Sequence, residues 1–395
     1  MKKRSSLIVL LVLAMLLAGC QTEKLLPQSS PGAEIEPTAV YDWMAGESPV
    51  PNRRLGIVRV GVQNSIHAVS ATGVYFVVND YIMYTDYASD KLIKLCGRPD
   101  CNHDNEDCNA HISGCTVLSY YKGYLYAILG DGSGQEAKLI RMDPDGSNRI
   151  EILNLLAFAK EHSGDFVRCE LITEGVCFFH TKRWVTTNTA NGGTTIKSEL
   201  VDYYIYRLDG SMEEPVLQQS SGVMYNCGNT VLSYSLETRH GGEYGSYWSW
   251  DPETEEQTYL TDHPGVPGYF DENAGYYFKD GAIRRKTYAT QTEENLLDTG
   301  LEGKYLLLSF PDCLVLASRT DGETADKNLY FYNWNFELVD TVKITYPHPE
   351  MAESAIIAET ADRLILQDHN HLPMYYINKS ELGTGNVEIH QFKFS

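Results

Sequence analysis

From residue 54 onward the chain is a succession of short apolar runs, rich in Tyr, Val, Leu and Ile, broken by Gly, Asp and Asn. Runs of this length between turn formers read as β-strands. Sustained 3.6-residue periodicity is absent beyond the N-terminal segment; residues 151–161 come closest, and that stretch is short. The pattern predicts an all-β protein.

Two elements alternate along it. The first is a turn residue followed by apolar and aromatic residues, as in Gly73-Val74-Tyr75-Phe76, Gly123-Tyr124-Leu125-Tyr126, Gly175-Val176-Cys177-Phe178 and Gly275-Tyr276-Tyr277-Phe278. Looser copies begin at Gly228, Asp312 and Asp362, so successive markers lie 37 to 53 residues apart. The second element is a strand, usually ending in a polar turn: Leu139 to Met142 before Asp143-Pro144-Asp145-Gly146, Tyr204 to Leu208 before Asp209-Gly210, Tyr247 to Trp250 before Asp251-Pro252-Glu253, and Leu329 to Tyr332 before Asn333. Four strands per unit at this period predict a β-propeller, because one small twisted sheet cannot bury both of its faces whereas a ring of them can. Seven blades are expected, with six or eight as alternatives, since the 37-residue interval leaves room for a truncated or missed unit. Residues 56–62 and 387–394 are strand-like and are candidates to close the ring. The paired elements resemble the broad TolB-like group of propellers, in which a Gly-x-Leu-Tyr strand precedes a Tyr-x-x-Asp-x-x-Gly hairpin. The resemblance implies architecture and no activity. The Asp-rich turns read as tight hairpins, because the alternating oxygen ligands of a calcium loop are missing.

The N-terminus has a different pattern. Lys2, Lys3 and Arg4 precede an apolar stretch from Leu7 to Leu17, and Leu17-Ala18-Gly19-Cys20 follows. A basic start, a short apolar core and small residues before a break form an export signal. The ending resembles the lipobox of bacterial lipoproteins, which implies cleavage before Cys20 and a lipid on that residue. The expected organisation is a signal peptide over 1–19, a flexible tether over 20–51 rich in Gln, Ser, Pro and Gly, and a propeller over 52–395. The ends of such a tether lie about 30 Å apart. The expected location is the cell membrane, lipid-anchored and facing away from the cytoplasm.

Charge narrows the partners. The chain carries 32 Lys and Arg against 53 Asp and Glu, a net charge of −21. A chain of this sign repels nucleic acid and anionic lipid surfaces, so the membrane partner is the anchor on Cys20, no nucleic acid is expected, and a monomer is expected.

The densest chemistry lies in one loop. Four of the nine cysteines, Cys96, Cys101, Cys108 and Cys115, fall within twenty residues, with His103 and His111 among them. Cys96, Cys101, His103 and Cys108 suit tetrahedral zinc, with Cys115 as a substitute ligand. Two disulfides, Cys96–Cys101 and Cys108–Cys115, suit an exported location equally, and either device would be a structural staple. The loop also looks like one found in exported bacterial lipoproteins of unassigned function. Elsewhere, a tight turn near Gly175 sets Cys169 opposite His180 and Cys177 opposite Ile172, so these two thiols are expected not to face each other. Cys177 and Cys313 read as core thiols.

Long connections are expected to share one end of the propeller with the cysteine loop, and ligand-binding candidates come from them: Arg183 and Trp184 in 180–202, Arg239 and His240 in 235–247, Arg319 and Asp321 in 318–328, and His369 and His371 in 368–372. Motifs for zinc proteases, serine hydrolases, phosphate-cradling loops and sialidase Asp-boxes are missing. The expected function is a binding or scaffolding module at the cell envelope for a protein or glycan. The alternative is a propeller-type enzyme, hydrolase or lyase, acting on glycans.

Overall fold

The computed structural model describes residues 67–394, apart from 88, 106, 131–135, 174, 189–193, 219–222, 228–229, 240–241, 251–255, 264–267, 271–272, 311, 319–325, 345–355, 361 and 369–370. Cys20, the signal and tether segments and the run 56–62 lie outside the described residues.

Among the described residues are seven sheets and one α-helix, Leu155–Glu161. Each sheet takes four antiparallel strands in sequence order from one stretch of chain: 67–94, 115–154, 166–218, 223–263, 269–298, 305–343 and 356–391. All seven sequence markers fall at the second strand of a sheet, and the recurring second element forms the third. The 37-residue interval holds four strands joined by tight connections, so it skips no unit.

Local chemistry explains the meanders. Asn79 and Asp80, between Gly73–Val78 and Tyr81–Asp86, both take left-handed φ values of 49° and 64°. Asp280 and Gly281 do the same at 51° and 77°. Two left-handed residues make the turn whose twist matches that of the flanking strands. Some second strands are buried on both faces: every residue of Gly73–Val78 and of Leu314–Ser318 is buried. Fourth strands such as Glu293–Asp298 are largely exposed and polar.

Cores form between sheets rather than within them. Tyr75 and Ile82 of the first sheet meet Leu118, Leu125 and Ala127 of the second. Val117 and Tyr126 of the second meet Val167, Cys177 and Phe179 of the third. On its other side the first sheet buries Val74, Phe76 and Leu92 against Ile365, Met374, Tyr376 and Phe392. Each such side chain contributes about 1.5–3 kcal/mol when buried. A fifth strand, Lys393–Phe394, joins the first sheet in parallel beside Lys91–Lys94. Within 387–394, Lys393 and Phe394 thus pair with Lys91 and Leu92, while the expected partner 56–62 lies outside the described residues.

Three expectations are corrected here. The described parts of 180–202 and 235–247 are not loops: strands Val176–Asn188 and Thr194–Arg207 form one long ladder, and Thr230–Arg239 with Gly242–Trp250 form another. Their Thr- and Ser-rich sequences lack an apolar core signal, yet β-branched residues sustain a ladder wherever the partner strand continues. The third concerns the buried thiols. Cys177 pairs with Ile172 as expected, but Glu170 is an extra residue in the ladder, so Cys169 pairs with Phe179 instead of His180. One inserted residue turns a side chain to the opposite face. The Cys169 and Cys177 sulfurs therefore face each other 3.8 Å apart, inside an apolar cluster.

Candidate functional site

The cysteine loop links the strand Lys91–Lys94 to Cys115–Tyr121, the first strand of the second sheet. Its start is tied to the first sheet by the Leu95 N–H, which donates to the Ile82 carbonyl at 2.8 Å. Its end docks on the Asn79-Asp80 turn: Ile82 N–H donates to the Ala110 carbonyl and Ile112 N–H to the Asp80 carbonyl, both at 2.7 Å. Cys108, Ala110 and Ile112 are buried in the core between the first two sheets.

Between these anchors the chain folds back on itself. Cys101 N–H donates to the Arg98 carbonyl at 3.3 Å, Cys108 N–H to Asn105 at 3.1 Å, and His111 N–H to Cys108 at 3.0 Å. His103 takes a left-handed φ of 55° and places its Nδ1 3.3 Å from the Cys108 sulfur. One ligand atom from each of Cys96, Cys101, His103 and Cys108 lies within 4.8 Å of the others. This Cys/His cluster has the composition and closeness to hold a metal ion. Cys115 stands apart from the four: its thiol donates to the Val117 carbonyl at 3.3 Å, and burial pushes it up to about 12.

Two arginines that the sequence pattern did not single out complete the loop. Arg98 donates from Nη2 to the Cys101 sulfur at 3.3 Å and, as the largest cause, draws that thiol down to about 7. Its position between Cys96 and Cys101 was the available signal. Arg149 had none, lying 40 residues from its partner in sequence: it donates to the carbonyls of Asn109 at 2.5 Å, His111 at 2.6 Å and Gly146 at 3.0 Å. The Asp143 to Gly146 turn is thus a clamp on the cysteine loop as well as a hairpin. Gly146 has a φ of 78°, and a Cβ there would stand 2.2 Å from the Asn109 carbonyl oxygen. Gly146→Ala is expected to cost about 1–3 kcal/mol, read as a lower urea midpoint. An unchanged midpoint would show that the turn and loop move freely past each other.

The ladder from residue 180 to 202 positions the other candidates. Beyond a bulge at Thr181, Lys182 pairs with Leu200, Trp184 with Ser198 and Thr186 with Ile196. Alternation puts these six side chains on one face. Trp184, Ile196 and Leu200 are 50%, 65% and 44% exposed, and Trp184 stacks on Phe166 with centroids 4.7 Å apart. The opposite face carries Arg183, which pairs with Glu199 at 3.4 Å. Arg183 and Trp184 thus point to opposite sides and do not form one subsite. Ile196 and Leu200 escaped the sequence reading because they are isolated among polar residues. Arg239 ends the strand Thr230–Arg239, and His371 opens His371–Asn378 opposite Asp368. His240, Arg319, Asp321 and His369 lie outside the described residues.

No family model matches the chain, and no curated protein matches it in sequence. Among solved structures it is similar to an oligogalacturonate lyase in complex with manganese, at 12% identity over 66% of this chain and 73% of that one, with a TM-score of 0.40. It is similar to a puromycin-hydrolyzing peptidase of Mycobacterium tuberculosis at 11% identity over 90% of this chain, with a TM-score of 0.48, and spans 57% of that protein's length. TolB from Acinetobacter baumannii gives 10% identity over 72% of this chain and 62% of that one, with a TM-score of 0.30. Oligogalacturonate lyase and TolB are β-propeller proteins. Likeness at these values carries no activity across to this chain.

Proposed function

We propose that the chain is a lipid-anchored, extracytoplasmic β-propeller of seven blades that acts as a binding module at the cell envelope. The lipobox-like Leu17 to Cys20 supports the anchor. Closure is supported by the seven successive four-stranded sheets, by the contact of the strand His67–Val69 with both Cys115–Tyr121 and Ile356–Glu359, and by the parallel strand Lys393–Phe394. In this reading the cysteine loop is a structural staple, with zinc as the ion its ligands suit.

The observation that carries the binding role is the apolar face of the long third-sheet ladder. Three large apolar side chains exposed together on one face favour a protein partner over water. The test places a photo-cross-linking residue at Ile196 in cells that express the full chain, with a second probe at Leu338, which is 55% exposed on the sixth sheet. A discrete adduct from Ile196 alone, lost on Trp184→Ala, is expected. Equal labelling from both positions, or none from Ile196, would remove the assignment. Cys20→Ser is expected to move the protein from the membrane to the soluble fraction; retention in the membrane would exclude the anchor. Cleavage of an acidic polysaccharide by the purified chain, of the kind named for the lyase neighbour, would instead favour the enzyme reading.

A further inference from the structure

The ligand chemistry of the cysteine loop goes further than a staple of unspecified kind. We propose that Cys96, Cys101, His103 and Cys108 bind one zinc ion in a closed, four-coordinate structural site, and that Cys115 takes no part. The inference deepens the staple role given to the loop above and is independent of the anchor and of the binding partner.

Geometry comes first. Zinc–sulfur bonds of about 2.3 Å in a tetrahedron place the ligand atoms about 3.8 Å apart. Four atoms already within 4.8 Å of one another need only small side-chain adjustments to reach that spacing. Four ligands fill the tetrahedron, which leaves no position for a substrate and makes the site structural. Three sulfurs and one imidazole are a soft set, poorly matched to calcium, magnesium or manganese.

Charge comes second. On binding, the three thiols release their protons to solvent and the imidazole ligates in its neutral form. Zinc with three thiolates carries a net charge of −1, and the Arg98 guanidinium lies against one of the sulfurs to offset it. Donors of this kind orient ligands and hold negative charge on them.

The third observation separates zinc from disulfides. A Cys108–Cys115 bond would take Cys108 out of the cluster and Cys115 away from the Val117 carbonyl, and His103 would lose its neighbour. The loop also has a reason to need an ion. Residues 97–100 are all exposed, so the turn that carries Cys101 has no apolar core of its own. Metal ligation supplies the folding free energy that burial cannot. Because the Cys108 carbonyl accepts from His111 N–H, and the neighbouring Ala110 and His111 carbonyls accept from Ile82 and Arg149, an ion on Cys108 also secures the junction of the first two sheets.

The test uses the full chain, purified without a histidine tag and without air, and zinc itself as the probe. Native mass spectrometry should show one zinc per chain. Cys101→Ser and Cys108→Ser should lose it, and Cys115→Ser should retain it. Arg98→Ala should weaken zinc about tenfold in a chelator competition. With zinc bound, Cys96, Cys101 and Cys108 should resist alkylation, and all three should react once a chelator removes it. Should the serine variants fail to fold, cobalt in the unmodified chain decides the matter: an intense visible spectrum with thiolate charge-transfer bands is expected for a tetrahedral sulfur-rich site. A mapped Cys108–Cys115 disulfide, zinc lost on Cys115→Ser, or a weak octahedral cobalt spectrum would each overturn the assignment. None of these outcomes touches the membrane or cross-linking results, so the two readings fail separately.

Discussion

Lys379→Ala is expected to lower the unfolding free energy by about 3–5 kcal/mol, among the largest effects of any single change in this chain. The Lys379 side chain is 3% exposed and forms ion pairs with Asp312, at 2.7 Å, and with Glu359. Asp312 sits between the first two strands of the sixth sheet and Glu359 ends the first strand of the seventh, so one ammonium ties two sheets together. Its removal takes the shared ammonium away from two largely enclosed carboxylates. The triple change Lys379→Met, Asp312→Asn, Glu359→Gln removes charge and counter-charge together and is expected to recover at least half of the loss. Urea unfolding of the three proteins checks this. A cost below about 1 kcal/mol for Lys379→Ala would mean that the triad is solvated like a surface pair.

The same triad sets a pH dependence. Burial pushes the Lys379 ammonium down, but the carboxylates of Glu359 and Asp312 outweigh it and hold the group up at about 12. A pKa raised on folding contributes stability that is complete below the unfolded value, about 10.4, and is lost as pH rises through the folded one. Between those values the unmodified chain should lose stability faster than Lys379→Met does. Parallel curves would exclude a raised pKa.

Phe392→Ala is expected to cost about 3–5 kcal/mol as well, for an unrelated reason. Phe392 is 2% exposed and lies among Val74, Phe76 and Leu92 of the first sheet and Ile365 and Met374 of the seventh, its ring 4.7 Å from that of Tyr376. Its N–H donates to the Met374 carbonyl at 3.0 Å, and the next residue pairs with Lys91. Truncation opens a cavity at the seam between the first and last sheets, where neighbours held by a ladder on each side cannot collapse inward. Phe394, 42% exposed two residues further along, serves as the control, and Phe394→Ala should cost less than about 1 kcal/mol. Equal costs for the two would show that the seam is held by backbone pairing alone.

Much of the architecture was legible in the chain because it is local. A turn former followed by apolar and aromatic residues appears seven times, three of them in looser form, and each copy became the second strand of a sheet, buried along its whole length in Gly73–Val78 and Leu314–Ser318. Left-handed turn pairs such as Asn79-Asp80 need no distant partner to form. The nearness of Cys96, Cys101, His103 and Cys108 was legible for the same reason, since thirteen residues of loop containing Gly, Pro and Asn can bring soft ligands to one point.

What escaped the sequence depends on partners remote along the chain. The ladders through 180–202 and 235–247 look like polar loops because neither strand carries a core stripe; only pairing makes them strands. The extra residue at Glu170 leaves no compositional trace, yet it decides which face Cys169 occupies. Arg149 reached the cysteine loop only once the second sheet had folded back on the first. The sequence by itself determined the all-β units and the closeness of the Cys and His side chains in the loop, because side-chain period and turn chemistry act within a few residues. Register, the face that Trp184, Ile196 and Leu200 share, and the pairing of Lys393–Phe394 with Lys91–Lys94 were decided by the tertiary structure, because each is a choice among partners that are equivalent until the sheets meet.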